Sequence, residues 1–165
     1  MKTLVLYYSQ TRKTASVAET ISQELSADTV EIKDLKERSG FFNSLKSTID
    51  AFRENKTKIN PENVDLSDYG LIYIGTPTWG GKPAPAIITL IDRCNFQGKD
   101  VILFTTMGGK GGNTTIKRMK EKLEARGARI VNFFIIRTGG KEIIEIKEDT
   151  RKIIEELDLK IYEYI

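Results

Sequence analysis

Residues 1–14 read Met-Lys-Thr-Leu-Val-Leu-Tyr-Tyr-Ser-Gln-Thr-Arg-Lys-Thr, so an apolar run, Leu4 to Tyr8, passes directly into Ser9 Gln10 Thr11 Arg12 Lys13 Thr14. A buried strand that ends in hydroxyls and then opens a helix aims small donors at one point, together with the backbone N–H groups of the helix start. Such a point suits an anion.

Outward from that stretch, apolar runs of strand length recur at residues 3–8, 29–32, 71–75, 101–105 and 130–136. The first, third, fourth and fifth are nearly continuous Val, Ile, Leu, Phe and Tyr, the pattern of strands covered on both faces. Helical spacing lies between them: Val17, Ile21 and Leu25; Phe41, Leu45, Ile49 and Phe52; Ile116, Met119 and Leu123 ahead of a stop at Gly127; and Ile153, Ile154 and Leu157. Residues 83–93, with Pro83 early and Ile87, Ile88 and Ile91 behind it, predict a helix started by proline. Alternation of β and α repeated five times predicts a parallel sheet wrapped by helices on both faces, with right-handed crossovers. The wide connection 36–69 holds one of those helices and then a polar run, residues 54–68, which reads as an ordered surface excursion. Gly139 and Gly140 read as a turn, and Tyr162, Tyr164 and Ile165 as packing either on the domain or on a second copy.

At 165 residues, with 39% hydrophobic and 30% charged residues, the chain is expected to form a single domain over 1–165 without a membrane span. The start shows no apolar leader, so no secretory signal is read and a cytoplasmic location is expected. A single cysteine, Cys94, allows no internal disulfide and no cysteine-rich metal site, and reads as a small buried residue. The absence of histidine removes Ser-His-Asp and Cys-His nucleophile systems, the usual proton shuttle near neutral pH and His-ligated zinc. Any enzyme chemistry would then fall to a bound cofactor. The net charge of +3 and pI of about 8.9 come from cations scattered among acids, not from a stripe, which argues against nucleic acid as a partner.

In such sheets ligands bind outside the carboxyl ends of the strands, where the strand order reverses. Three loops are expected at that edge: residues 9–14, residues 76–82 (Thr-Pro-Thr-Trp-Gly-Gly-Lys) and residues 106–113 (Thr-Met-Gly-Gly-Lys-Gly-Gly-Asn). In the first, the hydroxyls of Ser9, Thr11 and Thr14 and the amides of 10–14 can donate to phosphate, with Arg12 and Lys13 adding charge; helix capping accounts for one hydroxyl, not three. No G-x-x-x-x-G-K-[ST] and no G-x-G-x-x-G occurs, which disfavours ATP and NAD as resident ligands. Trp79, the only tryptophan, is either a stacking wall for a planar ligand or a lid over the core. Gly80 and Gly81 let backbone come close to a ring, and the glycines of the third loop offer the same approach.

The run from Tyr8 to Thr14, followed by Ala15 Ser16 Val17 Ala18, resembles the phosphate loop of flavodoxins, T/S-x-T-G-x-T. Residues 68–86, centred on Gly75 Thr76 Pro77 Thr78 Trp79, are similar to the second flavin loop of flavodoxin-like proteins, in particular the small prokaryotic group with a G-T-P-x-W core. The resemblance spans the chain in element order. It implies an α/β flavodoxin-like three-layer sandwich, a five-stranded parallel sheet of order 2-1-3-4-5 with helices on both faces, and FMN as cofactor.

Carried over, Ser9, Gln10, Thr11, Lys13 and Thr14 hold the phosphate. Thr76, Pro77, Thr78, Trp79 and Gly80 follow the ribityl chain and isoalloxazine, with Gly81 and Lys82 beside them, and Met107, Gly108, Gly109 and Gly112 edge the pyrimidine end. Arg12 stands where the family has glycine, either narrowing the loop or supplying a further phosphate partner. The tyrosine that often covers the outer flavin face is missing from the third loop, and the basic chain departs from the family's acidic carriers. If Lys82 and Lys110 approach the ring edge, they favour the anionic reduced flavin and raise its potential.

The function implied is an electron-transfer flavoprotein whose flavin cycles between oxidised, semiquinone and hydroquinone states, passing electrons between redox partner proteins or small acceptors such as quinones. The alternatives are an NAD(P)H-dependent quinone or flavin reductase and a flavin-free protein-interaction domain. No motif specifies a nicotinamide pocket, which favours the carrier. A phosphoacceptor receiver would need an Asp where Gly75 Thr76 Pro77 stands.

Overall fold

Strand β1 (Lys2–Tyr7) is buried from Leu4 onward and feeds helix α1 (Lys13–Leu25), which turns Ala15, Val17, Ala18 and Ile21 onto the sheet. The computed structural model describes residues 1–36 and 56–162, with side chains through residue 157. The chain continues through β2 (Asp28–Glu31), β3 (Lys33–Asp34), β4 (Ile59–Asn60), β5 (Tyr69–Trp79), β6 (Lys82–Pro83), α2 (Pro85–Arg93), β7 (Asp100–Met107), α3 (Gly112–Glu124), β8 (Arg129–Arg137) and α4 (Ile143–Tyr162).

Five parallel strands pair in the order β2-β1-β5-β7-β8, with β6 antiparallel on β5 and β3 and β4 forming a separate two-stranded ladder. Counting the parallel strands alone, this is the expected 2-1-3-4-5. Helices α1 and α4 cover one face around Val5, Tyr73, Ile102 and Phe104; α2 and α3 cover the other around Leu4, Leu6, Ile72, Ile74 and Leu103. The order reverses between β1 and β5, so their carboxyl ends open a crevice. Among the described residues, no helix is long and apolar enough to cross a membrane.

Several boundaries differ from the sequence reading for identifiable reasons. The third parallel strand does not stop at Gly75 but runs to Trp79, because Thr78 and Trp79 pair with Pro83 and Lys82 in a hairpin. Pro83 therefore lies in β6, and the proline that opens the helix is Pro85, in its first turn with φ preset for helix. Strand β2 lies one residue earlier than expected. The last parallel strand, β8, is an edge strand covered on one face only over much of its length: Val131 and Phe133 are 44% and 49% exposed while Phe134 and Ile136 are buried. Its apolar run reads like a central strand, yet among the described residues it has a neighbouring strand on one side only. The helix expected over Phe41, Leu45, Ile49 and Phe52 lies outside the described residues, as do Tyr164 and Ile165 and the side chain of Tyr162. Of the polar excursion, residues 56–68 include β4, and Thr57 N donates to Thr89 Oγ1 of α2 at 3.0 Å. Cys94 is buried, and burial pushes its thiol pKa up.

One carboxylate ties the α2–α3 layer together. Asp92 is 9% exposed and takes Lys56 Nζ at 3.1 Å, Lys122 Nζ at 3.8 Å and the Arg126 guanidinium. Burial pushes its carboxyl pKa up, but the hydrogen bond from Lys56 and the charges of Lys122 and Arg126 outweigh that and hold it below its ordinary value. Asp92→Asn keeps the shape and removes the charge, leaving three cations crowded, and is expected to cost about 2 kcal/mol in denaturant unfolding at neutral pH. Because the folded pKa is depressed, this contribution is complete above the ordinary carboxylate range and lost as pH falls through the folded value. Wild type and variant therefore converge only once the pH is below that depressed folded value.

Candidate functional site

The loop between β1 and α1 closes on Arg12, whose backbone sits at φ 67° and ψ −12°. Glycine adopts this left-handed conformation without a steric penalty and a side chain does not, so the backbone explains why a glycine suits the position. The guanidinium turns away along the helix, where Nη2 donates to Glu19 Oε1 at 2.7 Å. Arg12→Gly and Arg12→Ala both lose that exposed pair, but Ala alone keeps the strain. The Gly variant is expected to melt about 2–4 °C above the Ala variant by calorimetry.

Ser9 acts as the cap: its Oγ accepts from Ala15 N at 3.0 Å, while Ser16 N reaches Arg12 O at 2.9 Å. The amides of Lys13 and Thr14, in the first helical turn, are left with no acceptor among the described residues. A left-handed residue followed by helical ones turns successive N–H groups toward one point, a nest for an anion. Thr14 is 2% exposed, and its hydroxyl lies 2.8 Å from that of Thr106 across the floor.

The second wall is the extension of β5. Thr105 Oγ1 donates to Thr76 O at 2.7 Å, which leaves Thr78 Oγ1 to donate to Thr105 Oγ1 at 2.8 Å. Thr76 is fully buried; its Oγ1 accepts from Ala84 N at 2.9 Å and so ties β5 to the entry of α2. Gly80 and Gly81, at φ 58° and 75°, make the two-residue turn into β6, the positive-φ pair that a tight hairpin requires. Trp79, at the strand end, packs edge-on against Tyr8 with ring centroids 5.6 Å apart at 88°. It packs against the core and also lines the crevice.

The third wall follows β7. Thr138 N and Gly139 N donate to Met107 O and Gly108 O at 2.8 and 3.1 Å, fastening this loop to the end of β8. A Cβ on Gly112 would meet Ile135 Cγ2 at 2.8 Å and Met107 Sδ at 3.0 Å, so this glycine lets α3 start close on the sheet.

Together these elements enclose a cleft of about 180 Å³ lined by Gln10, Thr11, Lys13, Thr14, Pro77, Thr78, Trp79, Thr106, Met107, Gly108 and Thr138. Nine of the residues expected at the site therefore meet there. Ser9, Arg12, Thr76 and Gly112 stand behind it in the supporting roles just described. Gly80, Gly81 and Lys82 line an adjoining groove, and Gly109 and Lys110 are exposed beyond both. Sequence reasoning missed Thr106 and Thr138 as lining and Thr105 as the support of Thr76 and Thr78. The available signal was a pair of threonines closing an otherwise apolar strand. A larger hollow of about 630 Å³, bordered by Asn63, Asp65, Arg93 and Lys99, lies at the opposite end of the strands. Among the described residues no aromatic side chain and no first helical turn borders it, and the chemistry of the lining outweighs volume in choosing between the two.

A family model described as Flavodoxin matches residues 2–133. The flavodoxin of Nostoc sp. strain PCC 7120 is 29% identical over 139 residues, spanning 79% of this chain and 68% of that protein. A flavoprotein of Lactobacillus acidophilus NCFM, solved in complex with FMN, superposes with a TM-score of 0.70 at 28% identity, covering 83% of this chain and 93% of that one. A chain from Bacteroides uniformis ATCC 8492 shares the fold, with a TM-score of 0.75 at 23% identity over 91% of this chain and 97% of its own.

Proposed function

Because this chain belongs to the flavodoxin family, we propose that its cleft holds FMN and that the loaded protein carries electrons between redox partners. The first turn of α1 carries this reading: the orphaned amides of Lys13 and Thr14 converge with the hydroxyls of Thr11 and Thr14 and the Lys13 ammonium at the positive end of a helix. That donor set suits a phosphate dianion. Gln10 completes the phosphate side, Trp79 supplies a ring wall, and Thr78, Met107 and Gly108 border the opposite side. FMN, when bound, supplies reversible one- and two-electron chemistry. The lining binds and orients it: hydroxyls, one side-chain amide, apolar surfaces and Lys13, a set suited to holding a cofactor rather than to moving protons. The Lactobacillus acidophilus relative, solved with FMN, supports the same ligand here. A cytoplasmic setting goes with the reading, since the lone Cys94 stays reduced there.

Purified protein is expected to be yellow, to release FMN on heating and, once reduced, to pass electrons to an acceptor protein without oxidising NAD(P)H catalytically. Sustained NAD(P)H turnover with a quinone would replace the carrier with a reductase. Colourless protein that fails to take up added FMN would overturn the flavin reading and leave an interaction domain.

A further inference from the structure

We propose that the groove beside the cleft is a docking site for the acidic face of an electron-transfer protein; the inference rests on the carrier reading above. The groove, of about 390 Å³, is bordered by Gly80, Gly81, Lys82, Lys117, Arg118 and Glu121. It adjoins the ring wall directly, because Lys82 and Trp79 are ladder partners across the Gly80–Gly81 turn. A partner seated in the groove therefore lies against the hairpin whose other strand ends in the cleft wall.

The charge there is one-sided. Among the described residues that border the groove, Lys82, Lys117 and Arg118 are cationic and Glu121, 3.6 Å from Arg118 Nη1, is acidic. Beyond the groove, α3 adds Lys120, 3.9 Å from Glu124, whereas Lys122 turns inward to Asp92. On the opposite face of the sheet, α4 carries more carboxylates than cations over residues 143–157. Of these two helices α3, the one next to the cleft, is therefore the net cationic one. Fields of this kind act over a Debye length of about 8 Å at physiological salt and steer encounter more than they add affinity. Glu121 within the groove disfavours a compact phosphate dianion there, whereas carboxylates spread over a protein surface can meet the cations and avoid it.

The test is chemical-shift mapping of the ¹⁵N-labelled, FMN-loaded protein with two diamagnetic probes, zinc-substituted rubredoxin as an acidic redox scaffold and zinc-substituted cytochrome c as a basic one. Expected are salt-sensitive shifts at residues 80–82, 114 and 117–121 with the acidic probe. Lys117→Glu/Arg118→Glu is expected to weaken that association on the order of tenfold at low ionic strength. Lys117→Ala weakens it less, and FMN affinity is unchanged in both variants. Shifts that are absent or lie elsewhere, a stronger response to the basic probe, or reversal variants that bind like wild type would overturn the docking site. Failure to bind FMN would instead sink the carrier reading, and the same titration on flavin-free protein still reads the groove.

Discussion

Gly75→Ala is expected to lower the melting temperature by roughly 10 °C, a loss of about 3 kcal/mol. Gly75 lies in β5, in the middle of the sheet, in register with Phe104 of β7. A Cβ there would fall 2.0 Å from Phe104 Cζ and 2.2 Å from Cε2, distances no side chain tolerates. The ring has nowhere to go: Phe104 is fully buried and stacked on Phe134 with centroids 5.5 Å apart and planes 9° apart. Either the ring leaves its rotamer or β5 and β7 separate, and the second displaces Thr76 and Pro77 at the cleft wall. Adding Phe104→Leu to Gly75→Ala removes the clash and should recover part of the loss. A Gly75→Ala protein that melts like wild type would show that the ring does not sit over this strand.

Lys13→Glu is expected to weaken FMN binding about a hundredfold while leaving riboflavin binding and thermal stability nearly unchanged. Lys13 lines the cleft at the first turn of α1, the proposed phosphate end, and has no ion-pair partner among the described residues, so little in the fold depends on it. The change withdraws an ammonium from a dianion and substitutes a carboxylate, about 3 kcal/mol in charge-assisted contacts. Isothermal titration with both flavins separates the outcomes. Equal weakening of FMN and riboflavin would mean that Lys13 acts on the ring or on the fold, and no weakening would place the phosphate elsewhere.

The parallel strands and the three loops that meet at the cleft were legible in the sequence because buried parallel strands leave long apolar runs, three of which end in a burst of small polar residues; the strand order came from the family resemblance. What was not legible depends on long-range pairing. The hairpin that carries Trp79 exists because Thr78 and Trp79 find Pro83 and Lys82, and local pattern alone reads those residues as loop. The half-exposed face of β8 follows from its place at the edge, which its Val, Phe and Ile do not announce. Within the site, Thr105, Thr106 and Thr138 look like ordinary strand-end threonines until the fold brings them against Thr78, Thr14 and Met107. Arg12 shows the converse. The motif marks the position, but only the backbone angle gives the reason for glycine there, and only Glu19 shows where the guanidinium goes.

The most direct test of the account is parallel titration of the flavin-free protein with FMN and with riboflavin, which share the ring and differ by the phosphate. If the Lys13 and Thr14 amides, the neighbouring hydroxyls and the Lys13 ammonium hold that phosphate as proposed, FMN is expected to bind on the order of a thousandfold more tightly. Equal affinity for the two flavins, or binding of neither, would contradict the assignment of the first turn of α1 as a phosphate cradle.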